Sequence, residues 1–73
     1  MGYSYNKLWK RLIDYNMNKV TLREKAGLST TTLARLSKNE KVSLDAIAKI
    51  CDTLECNIGD IMDYVREDKH DNK

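Results

Sequence analysis

A chain of 73 residues makes one small domain, near the lower limit at which an apolar core holds a fold without disulfides or metals. With 41% hydrophobic and 33% charged residues, no proline and only three glycines, the composition resembles that of a compact helical domain more than that of a disordered chain. The net charge of +2 hides an asymmetry: residues 1–41 carry nine Lys/Arg against three Asp/Glu, residues 42–73 four against eight, so one half suits a polyanion and the other repels it, unless both are simply solvated helix faces.

Tyr5, Leu8, Trp9, Leu12 and Ile13 recur at helical spacing and predict a first helix over about Tyr5 to Tyr15, with Lys7, Lys10, Arg11 and Asp14 facing water. Trp9 lies in the apolar stripe, where a core role outweighs a ligand-binding one. In "MNKVTLREKAGLS", Asn18 is suited to cap a second helix over about Lys19 to Ala26, Met17 and Leu22 occupy the two staple positions, and Gly27 can take the left-handed conformation that ends it. Only Leu28 and Ser29 intervene before "TTTLARL", and Ser29 is again a good N-cap. Leu33 and Leu36 give this third helix an inner edge.

The stretch "SKNEKVS" has no apolar period and reads as a loop, with Asn39 able to turn left-handed at the helix end. Ser43 then caps a fourth helix whose broad face holds Leu44, Ile47, Ala48, Ile50, Cys51 and Leu54. A fifth helix is expected after the Asn57 cap, carrying Ile58, Ile61, Met62 and Val65, with Asp60 in its first turn and Tyr64 on its exposed side. Residues 66–73, "REDKHDNK", have nothing to bury and are expected to form a disordered polar tail.

No apolar stretch approaches the roughly 18–20 residues that span a bilayer, "MGYSYNKLWK" lacks an apolar signal core, and Asn6 breaks the myristoylation pattern. A cytoplasmic protein without membrane attachment is expected. Four residues separate Cys51 from Cys56, where metal and redox motifs have two, and the one histidine, His70, lies in the polar tail. No metal, cofactor or small-molecule ligand is expected, and both cysteines are read as reduced, core-facing thiols. Nothing resembles a catalytic constellation: there is no nucleophile beside a base and no phosphate-cradling glycine loop.

Two short helices joined by a glycine-containing turn form a helix-turn-helix, whose later helix lies in the DNA major groove. The stretch "MNKVTLREKAGLSTTTLARLSKNEKVSLDAIAKICDTLECNIGDIM" resembles the phage repressor and Cro-type (XRE) helix-turn-helix family of transcriptional regulators, over about residues 5 to 65. The resemblance rests on the ordered set: the leucine before "EKAG", the glycine, the "LS" leading into the third helix, the loop length and "LDAIAKICDTL". It implies an all-α, five-helix, lambda-repressor-like domain over residues 1–65 that binds double-stranded DNA as a homodimer on paired half-sites, as a regulator and more specifically a repressor. It also implies that the first, second and sixth residues of the third helix reach base edges; here these are Thr30, Thr31 and Arg35. Threonine offers a hydroxyl and a methyl for the thymine methyl, and arginine can hold guanine O6 and N7 together.

Lys19 stands where the family often has a phosphate-holding glutamine, and Lys38, Lys41 and Ser43 stand where it touches the DNA backbone. A merely solvated role for Lys41 fits equally well. Thr32, grouped with these backbone contacts, is better placed for local hydrogen bonding at the helix start. Leu12 and Ser37 replace both halves of an arginine–glutamate pair found in many members, so the first helix must dock by apolar contact. Asn39 replaces a glycine, Val42 a frequent proline, and Ala34 a commonly polar position. The alternative function is a protein-interaction module or antitoxin-like accessory with little sequence readout, which the acidic second half keeps open.

Overall fold

A computed structural model describes residues 2–66; of the expected tail, residues 67–73, with His70, lie outside the described residues. In chain order it contains β1 (Gly2–Ser4), α1 (Asn6–Asp14), α2 (Lys19–Ala26), α3 (Thr30–Ser37), α4 (Leu44–Leu54), one 3-10 turn (Ile58–Asp60) and β2 (Asp63–Val65). The four α-helices enclose a single core: Tyr5, Leu8 and Leu12 beside α1, Leu22 and Ala26 from α2, Leu28 from the turn, Leu36 from α3, Ala46, Ile47, Ile50 and Leu54 from α4, and Ile61. Among the described residues no helix is long and apolar enough to cross a membrane.

The expected fifth helix does not form. The Ile61 amide donates to the Ile58 carbonyl at 3.1 Å and closes one 3-10 turn, which the Asn57 N–H caps by donating to the Asp60 carboxylate at 3.0 Å; Ile61 buries fully, and the chain then extends into β2. Apolar residues at helical spacing over so short a run fit a turn followed by a strand just as well. A distant partner decides the outcome: β1 pairs antiparallel with β2, Tyr3 opposite Tyr64, their rings edge-on with centroids 5.9 Å apart. Val65 and Ile58 consequently stay about half exposed.

Two apolar faces are narrower than their spacing suggests. At about 100° per residue, Ile13 lies about 100° around α1 from Leu12 and is 73% exposed; Leu44 and Ala48 likewise turn outward from α4, while Ala46, not expected in the core, is buried. Trp9 is half-buried against the core. The two thiols are free and half-buried, Cys56 N–H donates to the Cys51 carbonyl at 3.0 Å, and burial, followed by the neighbouring Cys56, pushes the Cys51 thiol up.

Tyr5 ties the start of α1 to the loop after α3. Its amide donates to Asn39 Oδ1 at 3.2 Å and its buried hydroxyl to the Glu40 carbonyl at 2.8 Å, while Asn39 adopts the left-handed conformation at φ 59°. Burial, and secondarily the Tyr3 phenol, pushes the Tyr5 phenol above its ordinary value. The folded chain therefore holds this proton more tightly than the unfolded one. Its contribution to stability is complete below the unfolded value of about 10 and is lost as pH rises through the folded one. Denaturation followed from neutral to strongly alkaline pH should show that decline, and in Tyr5→Phe this part of it should vanish.

Gly27 ends α2 at φ 72°, with the amide of Leu28 donating to the Arg23 carbonyl at 2.9 Å. A Cβ added at Gly27 would meet nothing within 4 Å, so Gly27→Ala costs backbone strain alone, about 1 kcal/mol. A thermal melt should fall by roughly 4–8 °C. An unchanged melting temperature would show that the turn can do without a left-handed residue.

Candidate nucleic-acid interface

Local chemistry builds the α2–turn–α3 unit. The Asn18 side chain accepts from the Thr21 amide at 2.7 Å and so satisfies one of the free N–H groups of α2, with half-buried Met17 and buried Leu22 at the staple positions beside it. Ser29 caps α3 by accepting from the Thr32 amide at 3.1 Å, and its hydroxyl donates to Thr32 Oγ1 at 3.0 Å. The Thr32 hydroxyl is therefore engaged at the helix start.

On α3, Leu36 is fully buried and Leu33 half-buried, which fixes the helix's rotation about its axis. Thr30, Ala34, Thr31 and Arg35 then share an exposed arc of about 140° on the other side. Among the described residues, the hydroxyls of Thr30 and Thr31 and the guanidinium of Arg35 make no hydrogen bond or ion pair. One neutral, methyl-bearing donor pair and one planar cation thus stand side by side without protein partners.

The other candidate residues are distributed around this face. Lys38 follows α3 and Lys41 lies in the loop, both exposed; Ser43 caps α4 by accepting from the Ala46 amide at 3.1 Å. Lys19, the first residue of α2, is held differently. Its Nζ lies 3.2 Å from Ser37 Oγ on α3 and 4.3 Å from the centroid of the Trp9 ring on α1. Sequence spacing gave no hint of this three-helix meeting; the one available signal was the serine at position 37, where an acid is common in the family it resembles.

The structure also refines the charge asymmetry. Lys7 is 3.1 Å from Asp63 and Arg11 4.0 Å from Asp60, so acids of the second half sit against bases of the first helix. Such solvent-facing pairs add little to stability, but they offset charge that a polyanion would otherwise meet. The excess that remains is concentrated in residues 19–41, with six Lys/Arg against Glu24 and Glu40.

Comparison with known proteins accords with this architecture. Residues 7–67 match the model of the Cro/C1-type HTH DNA-binding domain. The crystal structure of the transcriptional regulator VanUg, Form II, is similar at 52% identity with a TM-score of 0.87, over 90% of this chain and 88% of that one. No curated protein matches.

Proposed function

The chain belongs to the Cro/C1-type helix-turn-helix DNA-binding family, and from that membership we propose that it is a sequence-specific transcriptional regulator, acting as a repressor, that reads the major groove with α3. The observation that carries this reading is the exposed arc of α3, where Thr30, Thr31 and Arg35 present side chains with no partner among the described residues. Arg35 donates two hydrogen bonds to guanine O6 and N7, and the threonines meet base edges and thymine methyls. Lys19, Thr32, Lys38, Lys41 and Ser43 hold the phosphates on either side and set the register of α3 in the groove. Repression then requires only that the bound protein occupy the operator.

One eight-residue helix spans too few base pairs for useful specificity, so two copies bind paired half-sites about one helical turn apart. Exposed Leu44 and Val65 offer apolar surface for that pairing. The basic residues steer the approach, and affinity falls steeply with salt as phosphates release their counterions. Selection of bound duplexes from a random pool should enrich a half-site repeated at fixed spacing. Failure to enrich any sequence, together with no binding at low salt, would overturn the reading, and co-purification of a stoichiometric protein partner in that case would make the chain an interaction module.

A further inference from the structure

An exposed lysine ordinarily samples many rotamers, yet the Lys19 ammonium joins three helices, 4.3 Å from the Trp9 ring centroid on α1 and 3.2 Å from Ser37 Oγ on α3. The geometry points to Trp9 and Ser37 as positioning residues that hold the Lys19 ammonium ready for a DNA phosphate, an inference that rests on the DNA-binding reading above. Both tethers are neutral, and this is the decisive property. Lys7 is also ordered, but by the Asp63 carboxylate at 3.1 Å, which cancels the charge a phosphate would seek. A π face and a hydroxyl oxygen restrain Lys19 and leave its charge intact.

Donor capacity remains as well. An ammonium has three N–H groups, Ser37 Oγ accepts one, and the ring attracts the charge from one side. The ring itself is steadied by packing: Trp9 is half-buried against the core and, with Leu12, Ile13, Met17 and Lys19, lines a shallow groove of about 290 Å³. Part of the entropy of ordering a long side chain on a phosphate is thus lost on folding rather than on binding.

A double-mutant cycle on the full chain tests this, with affinity for the selected duplex measured from about 50 to 200 mM salt. Lys19→Ala should weaken binding and reduce the salt slope by about 0.9, the share of one phosphate. Trp9→Leu and Ser37→Ala should each weaken binding about two- to fivefold while Lys19 is present, leave the slope in place because the charge remains, and have no effect once Lys19 is alanine. Trp9→Phe, which keeps a π face, should recover part of the loss. Ser37 is exposed, so Ser37→Ala still decides the matter where Trp9→Leu lowers stability. Losses that add in full to that of Lys19→Ala would overturn the inference and leave Trp9 and Ser37 with a structural role only. An unchanged affinity and slope in Lys19→Ala would also overturn it while DNA binding itself stands, whereas no binding by the unsubstituted chain would remove the DNA-binding reading.

Discussion

Arg35→Ala should weaken binding to the selected operator by about 1–3 kcal/mol, roughly 5- to 150-fold, and relax the preference at one base pair. The argument rests on what the guanidinium does in the free protein. It is exposed, lies on the same arc as Thr30 and Thr31, and has no hydrogen bond or ion pair among the described residues. Its removal takes nothing from the fold, so the melting temperature should hold while affinity falls. Lys38→Ala provides the contrast: the loss there should be uniform across sequences and accompanied by a salt slope lower by about 1. Competition with operators altered one position at a time separates the two patterns, and an Arg35→Ala loss equal on every sequence would move Arg35 from the bases to the backbone.

Leu36→Ala should destabilise the domain by about 2–5 kcal/mol. Leu36 is the one residue of α3 that is fully buried, and Leu33 is only half-buried, so this eight-residue helix depends on a single deep anchor. A domain of this size has little reserve against such a cavity. Thermal melts should fall by about 4–8 °C for each kcal/mol lost, and hydrogen exchange in α3 should accelerate well before that in α4. A fall of only a degree or two would mean that the neighbouring turn, rather than Leu36, holds α3 in place. DNA binding by this variant should recover at lower temperature, which distinguishes a lost anchor from a lost contact.

Local chemistry was legible in the sequence and distant pairing was not. The caps at Asn18, Ser29 and Ser43 each accept the amide three residues on, as residue type and position predict, and α2 runs over the residues expected of it. Gly27 and Asn39 turn left-handed where a helix must end. The engagement of Thr32 with Ser29 followed from the same capping logic. By contrast, the segment after Asn57 was expected to be helical because Ile58, Ile61, Met62 and Val65 fit a helical period, and its strand pairing depends on Gly2–Ser4 at the other end of the chain. Ile13 and Leu44 also belonged to apolar stripes in the sequence, yet each stripe is wider than the face that the other helices can cover. The meeting of Trp9, Lys19 and Ser37 has the same origin: three residues on three helices share no sequence period, and only the folded arrangement brings Trp9 and Ser37 to the Lys19 ammonium.

The β1–β2 ribbon has a topological consequence. Gly2 and Val65 are register partners, so the polypeptide is in effect a ring cut at one point. A few linking residues between 66 and 2 would close it, and new ends could be opened at the exposed turn at Glu55 without crossing the unit that holds α3. Gly2 and Val65 therefore share one edge of the domain, on the ribbon that joins the two ends of the described chain.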